Sequence, residues 1–282
     1  MNKKWYVVFV SVLSLTTYFS GGHFLQFPAA YAEAGSGINV VNVVAREYQY
    51  EMPDTLPSGP TLFHLTDNGE QLHHVTLIKL KQGKTLHDFT SLPPGPFPRW
   101  AIFMGGPNVP TPKGGQDQDI VDLSPGNYAV ICLVPGPDGK PHLMNGMVKA
   151  LTVIKAREKG KMPAHDLTLT LTNYKFTLSK PLTAGKHVIR IANKGSQVHE
   201  AVMFRLENGK TGKDIFNWVG GGLQGPPPAV PVGGISAESP GMSNLVPIDF
   251  AAGNYALICF VPDAGDGQPH AAHGMIYDFK VM

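Results

Sequence analysis

Four side chains able to ligate a metal occur twice in the same order: His73, Cys132, His142 and Met147, then His199, Cys259, His270 and Met275. His142 follows Cys132 by 10 positions and Met147 follows His142 by five, against 11 and five in the second set. Thiolate and thioether are soft donors that suit Cu(I), while imidazole serves Cu(II) as well; two His, one Cys and a weak Met are a copper ligand set. An ion held between those preferences changes oxidation state with little rearrangement, which suits single-electron transfer. One Cys…His…Met run would be a weak signal. The ordered set of four, present twice, is a strong one.

Other uses of the same residues set the alternatives. Two cysteines in a secreted protein commonly form a disulfide. Here they occupy matching places in two copies of one pattern, where bringing their Cα atoms within about 4.4–6.8 Å is difficult, so ligation is favoured. His74 adjoins His73 and could take its place, but the second copy has Glu200 there. Met144 competes with Met147, and both Met147 and Met275 could be ordinary core methionines. His64, His87, His165 and His187 have no counterpart in the other copy and read as surface histidines. The runs Gly105-Gly106 and Gly220-Gly221-Gly222 read as tight turns, since no phosphate-loop pattern surrounds them.

The elements that must position these residues are themselves repeated. At a shift of 126 positions Tyr48 falls on Tyr174, Gly69 on Gly195, Gln71 on Gln197 and His73 on His199, and Gly83-Lys84-Thr85 on Gly209-Lys210-Thr211. After small slips, Gly126-Asn127-Tyr128-Ala129 matches Gly253-Asn254-Tyr255-Ala256, and Gly146-Met147 matches Gly274-Met275. The unit is the size of a domain, not of a solenoid repeat. Period-two runs at Ile38–Tyr50 and Leu167–Phe176 predict strands, as do Leu62–Leu65, Val75–Leu80, Tyr128–Val134 and Met147–Ile154 with their counterparts. A short helix is expected near Thr85–Phe89, and the Gly/Pro-rich stretches 91–118 and 217–241 are expected to be loops. Many short strands joined by such loops give an all-β fold of two tandem Greek-key β-sandwiches.

The pattern G-x-Y-x-x-x-C followed by P-H-x-x-x-G-M closely resembles the ligand loop of the cupredoxins, such as plastocyanin and the blue-copper domains of nitrite reductases. Asn68–His73 and Asn193–His199 resemble the cupredoxin segment that carries the first His. The resemblance covers nearly the whole mature chain, once per repeat. It implies a cupredoxin-like sandwich in each, type 1 copper (up to two ions) held by the eight residues named above, and electron transfer. A redox-partner protein, or a copper donor or acceptor, is the implied partner. A copper carrier or store holding Cu(I), and a metal-free β-sandwich interaction module, are the alternatives. The Cys-to-His loop is longer than in plastocyanin-like proteins. The neighbours of the cysteines are Ile131, Leu133, Ile258 and Phe260, with no His beside either, and no H-x-H pair occurs. The resemblance therefore does not extend to a second, catalytic copper, and no enzymatic activity is expected.

Residues 1–32 read as a secretion signal, with Lys3 and Lys4, an apolar run from Trp5 to Tyr18 and an A-x-A site at Ala30-Tyr31-Ala32. Cleavage after Ala32 predicts an extracytoplasmic protein without a membrane span. Its domains are expected at 33–154 and 164–282, joined by a charged linker at 155–163. Lys3 and Lys4 account for the whole formal charge of +2, so the mature chain is neutral and offers no basic nucleic-acid surface.

Overall fold

The computed structural model describes residues 37–93, 97–158 and 160–282; the expected leader lies outside them. The first repeat runs β1 (Asn39–Arg46), β2 (Gln49–Glu51), β3 (Thr55–Pro57), β4 (Gly59–Asp67), β5 (Thr76–Leu80), α1 (Leu86–Thr90), β6 (Ala101–Phe103), β7 (Gly115–Leu123), β8 (Gly126–Ile131) and β9 (Val148–Ile154). The second runs β10 (Leu167–Thr172), β11 (Lys175–Leu178), β12 (Gly185–Asn193), β13 (His199–Leu206), α2 (Gly212–Gly220), β14 (Ala229–Glu238), β15 (Ser243–Phe250), β16 (Gly253–Ile258) and β17 (Ile276–Val281). Among the described residues no helix is long and apolar enough to cross a membrane.

The period-two runs fold as their alternation requires. In β10 every Leu of LTLTLT is buried and every Thr is half-buried. The apolar face packs inward and the polar face stays near water, as the alternation of side chains along a strand with one covered face demands. Each repeat becomes a Greek-key sandwich around its own core. Phe63, Leu65, Leu77, Tyr128 and Val130 fill the first, and Leu169, Ile191, Met203, Tyr255 and Leu257 the second. Both helices begin with a capping box, Thr85 with Asp88 and Thr211 with Asp214. The conserved spacing Gly-Lys-Thr-x-x-Asp within the repeat is thus a helix start.

The sandwiches are not strung apart. One eight-stranded sheet, ordered β11-β10-β12-β15-β7-β4-β1-β2, passes from the second repeat into the first where Leu245 of β15 pairs with Ile120 of β7. A five-stranded sheet (β3-β9-β8-β5-β6) and a four-stranded one (β14-β13-β16-β17) complete the two sandwiches.

Three expectations need correction. The stretch 91–118 is not all loop: it holds β6 and the start of β7. Neither is 217–241, which holds the end of α2 and the ten-residue β14. Its Pro and Gly mask a strand whose ladder with β13 slips at two bulges, where glycines are tolerated. Nor are Gly105-Gly106 a simple turn. Their counterparts are Gly233-Gly234 in β14, and the two segments run antiparallel against each other. Gly105 N–H donates to Ala237 O (2.9 Å) and Gly233 N–H to Val109 O (3.0 Å); Ser236 N–H donates to Gly106 O (2.9 Å) and Asn108 N–H to Gly234 O (3.4 Å). Each bond is the image of another under exchange of the repeats, so a pseudo-twofold axis passes through the bridge between Pro107 and Ile235. Gly106 and Gly234 adopt φ of 133° and 115°. A Cβ would lie 2.4 Å from Val75 O at Gly106 and 2.1 Å from Ala201 O at Gly234, so only glycine lets the backbones close.

Candidate metal centres

The first His of each set sits where the chain enters or approaches an inner strand, His73 ahead of β5 and His199 opening β13. The Cys ends the neighbouring strand, just after β8 or β16. The second His begins a 3₁₀ turn, His142–Asn145 or His270–His273. That turn ends on a glycine in the left-handed region, Gly146 (φ 96°) or Gly274 (φ 95°), which returns the chain to Met147 or Met275. The backbone closes each loop on itself. Cys132 N–H donates to Met147 O (3.3 Å), Met147 N–H to His142 O (2.9 Å) and Leu143 N–H to Cys132 O (2.8 Å), and the second repeat repeats the pattern.

The result is one cluster per sandwich. His73, Cys132 and His142 present ligand atoms within 4.8 Å of one another, as do His199, Cys259 and His270, and all six residues are buried. Nδ1 of His73 lies 3.1 Å from Nδ1 of His142, and Cys132 Sγ lies 3.5 Å from the latter. In the second cluster the His199–His270 Nδ1 separation is 3.0 Å, and Cys259 Sγ stands 3.4 Å from His270 Nδ1 and 4.0 Å from His199 Nδ1. Met147 and Met275 are both fully buried in the same cores as the cysteines, whereas Met144 is 61% exposed. Both cysteines are free.

The ring nitrogens facing away fix which nitrogen faces in. His142 Nε2 lies 3.1 Å from Gln71 Oε1 and His270 Nε2 3.4 Å from Gln197 Oε1. His199 Nε2 lies 3.2 Å from Asn173 Oδ1. His73 Nε2 faces the Glu47 carboxylate at 3.6 Å, and Glu47 occupies the position matching Asn173. The acceptors beside His142, His199 and His270 place the proton on Nε2 and leave those Nδ1 lone pairs to converge, while His73 Nε2 is buried without a hydrogen-bond partner. Burial drives these imidazoles further towards neutrality, taking His142 and His199 down to about 4. Burial also pushes the Cys132 thiol up to about 12 and raises that of Cys259. A thiol so placed stays protonated unless a cation lies against it.

The donors fit such an ion. Nitrogens about 2.0–2.1 Å and a thiolate about 2.3 Å from one centre stand about 3.3 Å (N to N) and about 3.6 Å (N to S) apart at tetrahedral angles. The observed Nδ1–Nδ1 and Sγ–His142/His270 separations are close to both. The two His/Cys/His groups are compatible with copper.

Several supporting residues had been visible only as repeat identities without a role. Tyr48 and Tyr174 hold φ of 61° and 63°, a conformation that costs a bulky residue energy. Each sets its ring edge-on to a site histidine, at 5.3 Å from His142 and 5.5 Å from His270. At Gly69 and Gly195 a Cβ would fall 2.5 and 2.6 Å from Nε2 of His73 and His199, so the imidazoles occupy the space a side chain would take. Gln71 and Gln197 are the ring acceptors just described. His74 is no ligand: its Nε2 accepts from Leu133 N–H (2.8 Å), and Glu200 Oε1 accepts equivalently from Phe260 N–H (2.9 Å). Each thus ties the strand after the first His to the residue after the Cys.

No family model matches the chain, and no curated protein matches it. Among solved structures it is similar to a dithionite-reduced auracyanin from the photosynthetic bacterium Roseiflexus castenholzii, at 19% identity over 41% of this chain and 97% of that one, with a TM-score of 0.30. A multicopper oxidase matches at 13% identity over 87% and 89% of the two chains, with a TM-score of 0.26. A copper nitrite reductase from Nitrosomonas europaea matches at 12% identity over 87% and 93%, with a TM-score of 0.23.

Proposed function

We propose that this chain is an extracytoplasmic electron-transfer protein with one type 1-like copper centre in each of two tandem domains, 33–154 and 164–282. The observation that carries the reading is the duplicated cluster, with two Nδ1 atoms and one Sγ converging in each buried pocket. When bound, copper supplies a one-electron Cu(II)/Cu(I) couple. The chain's part is to hold the donors. His73, Cys132 and His142, with Met147, serve the first ion; His199, Cys259 and His270, with Met275, serve the second. Gln71, Gln197 and Asn173 fix the imidazole tautomers. A donor set held by a β-sandwich and by backbone bonds within the loop has little freedom to rearrange, which suits fast exchange. Neither cysteine has a histidine neighbour to lead to a second, catalytic copper, so the protein is proposed to act without substrate turnover, passing single electrons to and from a protein partner.

The test is a visible absorption spectrum of the mature protein loaded with Cu(II), paired with a metal count. The expected result is an intense thiolate-to-copper band with about two coppers per chain, one for each ligand set. Copper bound without the band supports a Cu(I) carrier instead. A colourless zinc-loaded chain, or none of either metal, overturns the reading. Oxidase and nitrite-reductase turnover by the loaded protein would overturn its non-catalytic part.

A further inference from the structure

The seam between the repeats encloses two acids whose oxygens lack partners. Asp119 lies in β7 of the first repeat and Glu238 in β14 of the second, and both are fully buried. Among the described residues, Asp119 Oδ1 and both carboxyl oxygens of Glu238 meet no hydrogen-bond donor. The fold brings the two side chains to one place. Asn244 Nδ2 donates to Asp119 Oδ2 (3.3 Å) and to Met104 O (2.6 Å). A Cβ at Gly105 would fall 2.4 Å from that same Nδ2 and 3.2 Å from Glu238 Cγ. Gly105, at φ 80°, thus leaves the space in which the amide that holds Asp119 and the stem of Glu238 lie against one backbone position. Met104, one residue earlier, forms a β-bridge with Glu238. Burial first, and then the charge of Asp119, push the Glu238 carboxyl well above its usual range.

An ionised carboxylate removed from water without a donor or a counter-charge is strongly unfavourable, and a second one beside it raises the cost. Orphaned buried oxygens in a folded protein call for a proton, a water or an ion. One proton shared between the acids reaches two of the three free oxygens and leaves a negative charge behind. A divalent cation meets all three and cancels both charges. We infer that Asp119 and Glu238 together form a structural calcium site that ties the two repeats across their seam. The free donors are carboxylate oxygens alone, without sulfur or imidazole, which selects a hard cation over copper or zinc. Magnesium holds on to several of its waters, for which a fully buried pair has no room, whereas calcium takes carboxylates directly. The ion enters as the repeats close, so its binding energy is part of the folding energy. In its absence the pair keeps a proton instead. The site is independent of what the His/Cys/His clusters hold.

The test refolds the full mature chain from urea at neutral pH, in calcium chloride and in buffer stripped of divalent cations over a chelating resin. The His/Cys/His clusters are kept in the same state in both arms. Elemental analysis after gel filtration is expected to find about one calcium per chain, the number that two carboxylates neutralise. The urea midpoint is expected to be higher with calcium than without it. Asp119→Asn and Glu238→Gln keep the shapes of the side chains and remove one charge each. Each is expected to lower calcium affinity at least about tenfold, the low end of what even a supporting residue is worth to a metal site, and to abolish the rise in midpoint. In stripped buffer both are expected to be at least as stable as the wild type, because neither leaves a second buried acid to neutralise. Glu207→Gln, at an exposed position, is expected to keep the ion and the rise. A wild type that retains no calcium and melts alike in both buffers overturns the inference and leaves the acids holding protons only. Calcium retained in full by Asp119→Asn and Glu238→Gln also overturns it, by placing the ion elsewhere. Either result leaves the copper reading standing, since that is tested by the thiolate-to-copper band.

Discussion

Glycine at positions 69 and 195 shows how strongly a missing side chain can specify a site. Each leaves room for an imidazole edge that a methyl group would displace by a direct clash. Gly69→Ala is therefore expected to move His73 and loosen metal in the first pocket, and Gly195→Ala to do the same in the second. Copper retention after dialysis against a chelator should fall in the altered pocket by at least about tenfold, a loss of about 1.4 kcal/mol, while the other pocket holds its ion. Equal retention in both pockets would show that the ring adapts. The eight proposed ligands stand out in sequence because their types and order repeat. The identity of Tyr48, Gly69 and Gln71 with their counterparts was equally visible. Their roles were not, because nothing in a linear pattern shows that Gly69 adjoins the imidazole four residues on or that Tyr48 lies against His142.

Strands were legible where alternation was clean, as in β10, and obscure where polar residues had been drafted into an interface. β7 reads GQDQDIVDL, yet Asp117 and Asp119 are buried. β14 reads as Gly/Pro-rich yet closes the molecule. Among the described residues Asp119 Oδ1 and both carboxyl oxygens of Glu238 are buried with no hydrogen-bond donor, and burial, with Asp117 nearby, holds the Asp119 carboxyl well above its usual range. The sign follows: the folded protein keeps a proton that the unfolded chain releases above about pH 4. The stabilisation is complete below that pH and drains away as pH rises towards the folded-state value. Urea midpoints of the wild type are expected to fall between pH 5 and pH 8, by up to about 1.4 kcal/mol of stability per pH unit for each such proton. Asp119→Asn should flatten that slope; an unchanged slope would assign it to other groups.

At the scale of the whole molecule, the sheet continuous through both repeats is expected to make them unfold as one body. Leu62 and Ile120 of the first pack with Val188 and Leu245 of the second, and Ala237 of β14 joins a core cluster otherwise built mainly from the first repeat. Truncating Ile120 to Ala removes a fully buried side chain at this seam and is expected to cost about 2–5 kcal/mol. Calorimetry should show one transition shifted to lower temperature. Two separate transitions, only one of them moved, would mean that the sandwiches melt independently. The duplication was plain in sequence, but the way its halves meet was not, since the contact is made largely by backbone at Gly105–Val109 and Gly233–Ala237.

The near-symmetry of that contact has a consequence for what fusion in one chain permits. Asn108 and Ser236 stand at equivalent places, and each sends its side chain across the seam, Asn108 Nδ2 to Ile235 O (2.7 Å) and Ser236 Oγ to Val75 O (2.9 Å). Two identical halves facing each other across an axis would have to carry the same residue at both places. Because the halves are covalently joined and free to differ, a long amide fits one side and a short hydroxyl the other, an asymmetry that a homodimer of either repeat could not possess.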